Sequence, residues 1–286
     1  MKVTLLGVGL MGQAISKRLL KKKQTLTVFN RSSEKTTVIT AQGASTSQSA
    51  QQAIDASDYC LLLLSDAQAI SAVLDTVEAN HFAGKYFIQM GTIAPEESRE
   101  LEKYIHQRRG FYLECPVLGS LPEARTGTLI LMAAGEKMTY QACLPVLNLL
   151  GKNPQFFGAS GQSATVKLAM NQLIAGLTSS FSLSLSLIEK EAVDVDQFME
   201  VVRSSALYAP TFDKKLDRML ERDFSNPNFP SKHLSKDTKL FLDVAKQLGL
   251  NTSALEGIDQ LLDKTMDLDL ANTDYSAIHA AINSDN

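Results

Sequence analysis

From Met1 to about Asn148, short apolar runs alternate with longer stretches in which polar and apolar residues mix at helical spacing. The runs are VTLLGVG, TLTVFN, YCLLLL, YFIQMG, FYLECPV and TLILMAAG, each bounded by Gly, Asp, Asn or Pro. Near-continuous apolar strands separated by helices predict a parallel sheet covered on both faces. FYLECPV and TLILMAAG are joined by a short polar connection, so this last pair is expected to run antiparallel. Beyond Phe157 the strand pattern stops. SATVKLAMNQLIAGLTSSFSLSLSLIEKEAV runs without proline and is apolar on nearly every side. At about 1.5 Å per residue it makes a helix of roughly 45 Å, which links two domains and is buried by later helices or by a second subunit. Helical spacing continues in VDQFMEVVRSS, TFDKKLDRMLER, SKDTKLFLDVAKQLG and TSALEGIDQLLDKTMD. The expected fold is α/β: a parallel-sheet domain (1–160) joined by a long interdomain helix to an all-α domain (161–286).

The first strand runs into GVGLMG, residues Gly7, Gly9, Leu10, Met11 and Gly12 with Val8, and then into the amphipathic AISKRLL. Glycine permits the tight turn and the close approach of a pyrophosphate, and the helix N-terminus offers amides and partial positive charge to its phosphates. The second strand ends in Asn30, Arg31, Ser32, Ser33 and Lys35. An NAD-selective site carries Asp or Glu at the end of this strand to bind the ribose hydroxyls. A guanidinium with neighbouring hydroxyls suits a 2′-phosphate instead, so the expected cofactor is NADP(H). Two further loops follow strand ends, Leu64-Ser65-Asp66 and Gly91-Thr92-Ile93-Ala94-Pro95. Asp66 reads as a helix cap or a cofactor contact. Pro95 suits a first helical position, which leaves Ala94 as the cap and the Thr92 hydroxyl for a nicotinamide-side contact.

Composition narrows the partners. A net charge of −3 in 286 residues gives no polyanion-binding face, so nucleic acid is not an expected partner. No apolar run reaches the roughly 20 residues of a membrane span, and the opening MKVTLLGVG reads as a strand. Cys60, Cys115 and Cys143 are scattered and odd in number, which fits a reducing, cytoplasmic setting. Four histidines without a His/Cys cluster leave no expected metal site.

Several co-linear motifs together resemble the β-hydroxyacid dehydrogenase family, which includes 3-hydroxyisobutyrate and 6-phosphogluconate dehydrogenases. They are GVGLMG with Asn30-Arg31-Ser32, GTIAPEESR, CPVLGSLPEARTGTLILMAAGE, KLAMNQLIAG, FPSKHLSKDTKLFLDVAKQLG and DYSAIHAAI. The LPEARTGTLILMAAG segment is most similar to the glyoxylate and succinic semialdehyde reductase branch. The resemblance implies Lys167 as the catalytic lysine and Asn171, at i+4 on the same helix, as its companion. An ammonium on so apolar a helix is expected to have a lowered pKa and to serve as an acid near neutral pH. The resemblance further implies that Lys236 and Asp237 close over bound ligand, Lys236 on cofactor or substrate. Phe229 either lines the pocket or staples the start of its helix. Such enzymes pair a Rossmann dinucleotide-binding domain (here 1–160) with a helical domain for substrate and dimerisation (here 161–286) and form dimers or tetramers, so a homodimer or homotetramer is expected.

The sequence departs from the family pattern in the substrate loop. Leu118 stands where a serine hydroxyl binds the substrate carboxylate, leaving Gly119 and Ser120 as the expected binding groups. Ser163 replaces a glycine before the catalytic helix and is expected to cap it. The activity expected is NADPH-dependent reduction of a small aldehyde or 2-oxo acid to the hydroxy acid. The alternatives are a reductase of a less polar carbonyl or imine, and a non-catalytic NADP-binding module.

Overall fold

The computed structural model describes residues 1–284. The chain forms two compact units, one from Met1 to Lys167 and one beginning at Leu168. In the first, strands β1 (Lys2–Leu6), β2 (Thr25–Phe29) and β3 (Ser45–Thr46) alternate with helices α1 (Leu10–Lys21), α2 (Glu34–Thr40) and α3 (Ala50–Asp55). Then follow β4 (Tyr59–Leu62), α4 (Ala67–Leu74), β5 (Tyr86–Gln89), α5 (Pro95–Gln107) and β6 (Phe111–Glu114). The unit continues through β7 (Val117–Leu118), α6 (Leu121–Thr126), β8 (Ile130–Gly135), α7 (Lys137–Leu150) and β9 (Gln155–Phe156).

The strand order is β3-β2-β1-β4-β5-β6-β8-β7, with β9 beside β8. Strands β1 to β6 pair in parallel, while β8 runs antiparallel to β6 and β7, as the short connection predicts. Strand side chains alternate between two buried faces. Leu5, Leu61, Ile88 and Leu113 pack with α1 and α7 through Ile15, Leu19, Val146 and Leu147. Their neighbours Leu6, Leu62, Phe87 and Tyr112 pack on the other face with Ile54, Ile70, Leu101 and Ile105. Burial on both sides explains why these strands read as continuous apolar runs. Of the three two-residue strands, β3 and β9 carry no such pattern: both residues of β3 are exposed.

Register fixes where the loops emerge. Leu6 pairs with Phe29 and Leu62, Leu62 with Gln89, and Gln89 with Glu114. The C-terminal ends of five strands therefore stand in one row, and the chain reverses its winding between β1 and β4. Open α/β sheets bind ligands at this place.

The chain passes into the second unit within α8 (Gln162–Lys190), a helix of 29 residues. It continues through α9 (Val195–Ser204), α10 (Pro210–Leu220), α11 (Ser231–Gln247), α12 (Ser253–Asp267) and α13 (Ile278–Ile282). Within this unit Ala175 packs against Leu234, Leu242, Leu255, Leu262 and Ile278. Phe181 stacks on Phe212 with centroids 4.6 Å apart, beside Leu185, Met199 and Met219. Later helices thus cover one face of α8. Leu173, Leu177, Leu183 and Leu187 form a second stripe that stays exposed, Leu183 and Leu187 at 63% each.

Candidate active site

The glycine-rich turn leaves β1 through Gly7, at φ +102°, where a side chain would strike the Leu63 carbonyl oxygen at 2.4 Å. A Cβ on Gly12 would meet the Gly7 carbonyl oxygen at 2.2 Å. The protein's own packing therefore demands glycine at both positions. Gly9 is different. It is exposed, sits at φ −75° as the cap of α1, and a Cβ there would meet nothing within 4 Å. Packing within the protein therefore does not demand glycine here, and the bare backbone leaves room for a ligand to approach closely. No side chain caps the first turn of α1, so its amides face the same approach, with Leu10 exposed beside them. These residues fit a dinucleotide pyrophosphate.

Asn30 ties this turn to the loop after β2. Its Oδ1 accepts the Val8 N–H at 3.0 Å, and its Nδ2 donates to the Ser32 carbonyl at 3.0 Å. Asn30 therefore shapes the loop, while Arg31, Ser32, Ser33 and Lys35 are exposed around it. In the loop after β4, Asp66 accepts the Ala69 N–H at 2.7 Å and the Ser65 hydroxyl at 2.7 Å. Asp66 is thus the cap of α4, with Leu64 half-buried and Ser65 exposed before it. In the loop after β5, Pro95 opens α5 and Glu97 accepts the Ala94 N–H at 2.7 Å, leaving Thr92 half-buried ahead of the helix.

The loop after β6 carries Leu118, half-buried and paired with Ile130 of β8. Ser120 caps α6, and Glu123 receives both its N–H at 2.8 Å and its hydroxyl at 2.6 Å. Of the two groups expected to replace the missing serine hydroxyl, Ser120 is thus already engaged by an internal carboxylate. Gly119 is exposed at φ +131°.

Lys167 is half-buried in the second turn of α8. The expected cap, Ser163, does not cap this helix. The helix begins one residue earlier, so Ser163 lies inside the first turn, and its buried hydroxyl has no hydrogen-bond partner among the described residues. The cap comes from Glu114, which accepts the Gly161 and Ala164 N–H groups at 2.7 and 2.5 Å and also the Ser98 hydroxyl. Burial pushes the Glu114 carboxyl above its ordinary range, while these donors pull it back.

In the second unit Asn171 and Asp237, distant in sequence, are joined. Asn171 Nδ2 donates to Asp237 Oδ2 at 2.5 Å, and Lys236 Nζ pairs with Asp237 Oδ1 at 2.7 Å. A carboxylate only accepts, so it turns the amide and leaves Asn171 Oδ1 buried without a partner among the described residues. Phe229 packs edge-on against Tyr275 at 5.8 Å and stacks near His233 at 6.3 Å. Burial lowers the His233 pKa.

The family model for the NAD binding domain of 6-phosphogluconate dehydrogenase matches residues 2–161. The model for the NAD-binding region of NADP-dependent 3-hydroxyisobutyrate dehydrogenase matches residues 161–282. Glyoxylate/succinic semialdehyde reductase 1 of Arabidopsis thaliana is 32% identical across 99% of this chain and 98% of its own length. The chain is a β-hydroxyacid dehydrogenase family member. Like the family's NAD(P)-dependent hydroxyacid dehydrogenases, it binds a nicotinamide dinucleotide in its first unit. The fold matches that of Mycobacterium tuberculosis 3-hydroxyisobutyrate dehydrogenase, with a TM-score of 0.87, 20% identity and 99% of each chain covered. The human cytokine-like nuclear factor N-PAC is 26% identical over 98% of this chain, which spans 51% of N-PAC.

For a β-hydroxyacid dehydrogenase, the remaining chemistry of this chain is quiet. Burial pushes the Cys60 and Cys143 thiols up to about 12 and Cys115 up as well, so none is a poised nucleophile. Among the described residues, no group of His, Cys, Asp or Glu is placed to hold a metal ion. No described helix is long and apolar enough to cross a membrane. The residue missed in the sequence is Glu114. Its signal was an acid closing an otherwise apolar buried strand, where a charge must find donors.

Proposed function

We propose that the chain is an NADPH-dependent reductase of a small aldehyde or 2-oxo acid, of glyoxylate or succinic semialdehyde type. The observation that carries this reading is the end-to-end similarity to glyoxylate/succinic semialdehyde reductase 1 in a chain that holds Lys167 and Asn171 on one helix. Bound NADPH supplies a hydride to the carbonyl carbon. Lys167 Nζ gives its proton to the carbonyl oxygen, which becomes the hydroxyl of the product. Asn171 presents its unpartnered Oδ1 to a donor on the substrate, held there by Asp237. Lys236 supplies positive charge for a carboxylate or phosphate. Arg31, with Ser32, Ser33 and Lys35, holds the 2′-phosphate, and Thr92 serves the nicotinamide side. The exposed leucine stripe on α8 supports self-association as a homodimer or homotetramer. Buried, protonated thiols suit a reducing, cytoplasmic setting.

Following NADPH oxidation against glyoxylate, succinic semialdehyde, larger 2-oxo acids and cyclic imines tests the reading. Turnover of a small aldehyde or 2-oxo acid supports it, and turnover of imines alone overturns the substrate assignment. The N-PAC similarity favours a second reading, a non-catalytic NADP-binding module. Tight NADPH binding with no turnover of any carbonyl would establish that reading instead.

A further inference from the structure

We infer that Glu114 is a positioning residue for the proton donor: its buried carboxylate fixes the start of α8 and thereby the place of Lys167. The inference rests on the reading of Lys167 as the acid. Glu114 is fully buried at the end of β6, in the row of strand ends that carries the cofactor loops. It receives hydrogen bonds from two directions. One is Ser98 Oγ, on the helix α5 that starts just after Thr92, and Ser98 is itself 2.8 Å from the Tyr112 hydroxyl. The other is the start of α8, through Gly161 and Ala164. One carboxylate thus joins the helix following the nicotinamide-side loop to the helix bearing the lysine.

The approach to α8 leaves little other freedom. Gly158 and Gly161 turn at φ +111° and +94°, and a Cβ on Gly161 would strike the Arg99 guanidinium at 2.3 Å. Ser160 Oγ donates to Glu102 Oε1 at 2.7 Å, a second strap from α5 to the same turn. Ala164 and Lys167 are three residues apart on α8, so they share a face on successive turns. A displacement of the Ala164 amide is therefore carried to Lys167. An ordinary serine cap would hold the helix locally. A carboxylate from the sheet holds it against the sheet, which is the placement that proton transfer requires.

Glu114→Gln keeps the size of the side chain but aims an NH2 at one of the two amide donors. In Glu114→Gln, kcat is expected to fall roughly ten- to a hundredfold, as for displacement of a reacting group by about 1 Å. KM for NADPH and for the aldehyde should stay within about twofold. In the cofactor-free protein, amide hydrogen exchange of residues 161–167 should quicken while β1 and β4 keep their protection. Ser98→Ala, which removes one donor and leaves the carboxylate, should move kcat and exchange in the same direction by less. It also serves where Glu114→Gln does not fold. A Glu114→Gln kcat within about twofold of the parent enzyme or, where that variant does not fold, a Ser98→Ala kcat equal to the parent's, despite faster exchange at 161–167, overturns the inference. Lys167→Ala is measured alongside. If it keeps kcat, the acid reading fails and the positioning role with it. If it loses kcat while Glu114→Gln does not, the positioning role alone fails.

Discussion

The Val8 N–H donates to Asn30 Oδ1 at 3.0 Å, so the side chain at the end of β2 holds the glycine turn at the end of β1. Its other end is bound to the Ser32 carbonyl, so in the proposed function selection of the cofactor falls to Arg31 and the neighbouring hydroxyls. Asn30→Asp still accepts from Val8 but loses the donor to Ser32 and brings a negative charge to the ribose end. The ratio of kcat/KM for NADPH to that for NADH should drop roughly 10- to 100-fold, the range for one hydrogen bond to a charged group. An unchanged ratio in steady-state kinetics would contradict this account of selectivity.

The three glycines of the turn separate by mechanism. Gly12→Ala forces a Cβ to 2.2 Å from the Gly7 carbonyl and should destabilise the protein by about 1–3 kcal/mol in urea unfolding. Gly9→Ala meets only open space and should change stability by no more than about 0.5 kcal/mol. Its NADPH affinity, measured by fluorescence titration, should nevertheless fall at least roughly tenfold, since the methyl occupies the phosphate approach. Equal losses of stability in both variants would show that Gly9 serves packing.

Leu118 places an aliphatic side chain in the loop after β6, which the proposed function assigns to substrate, and Ser120 is taken up by Glu123. Leu118→Ser restores a hydroxyl that donates to a carboxylate. The kcat/KM for glyoxylate is then expected to rise by roughly tenfold, while an aldehyde lacking a carboxylate gains nothing. Equal change for both substrates would remove Leu118 from specificity.

His279 is fully buried, with Nδ1 2.9 Å from Ser182 Oγ and Nε2 3.4 Å from Glu189. Burial holds its pKa below the ordinary 6.5, with Glu189 opposing in part. The unfolded chain then binds the proton first, so stability is full above about pH 6.5 and declines as pH falls below it. Each such group adds a slope of up to about 1.4 kcal/mol per pH unit, and His233, also lowered by burial, acts in the same direction. Urea unfolding of His279→Gln at about pH 7.5 and about pH 5.5 should show a smaller acid loss than the parent. Identical losses would exclude His279 from this dependence.

The legible and illegible parts of the chain divide along physical lines. Strands β1, β2, β4, β5, β6 and β8 were readable because both faces of the sheet are buried, and α9 to α12 because one face of each is. The two-residue strands were not, since two residues leave no period to read. At the site, glycines and loop residues next to strand ends were readable because local backbone geometry constrains them. The Asn171–Asp237 hydrogen bond spans 66 residues and depends on how α8 and α11 meet, which no local pattern encodes. The replacement of Ser163 by Glu114 as the cap is of the same kind: serine matches the local rule, but a remote carboxylate reaches the amides.

In the proposed reaction Lys167 delivers the proton while the glycine turn and the Asn30–Lys35 loop hold NADPH. Lys167→Ala tests it most directly, with kcat for aldehyde reduction and the NADPH Kd measured on the same preparation. The expected kcat is lower by roughly 10²- to 10⁴-fold with the Kd unchanged, as for loss of a positioned acid. A variant that keeps more than about a tenth of the parent kcat would contradict it.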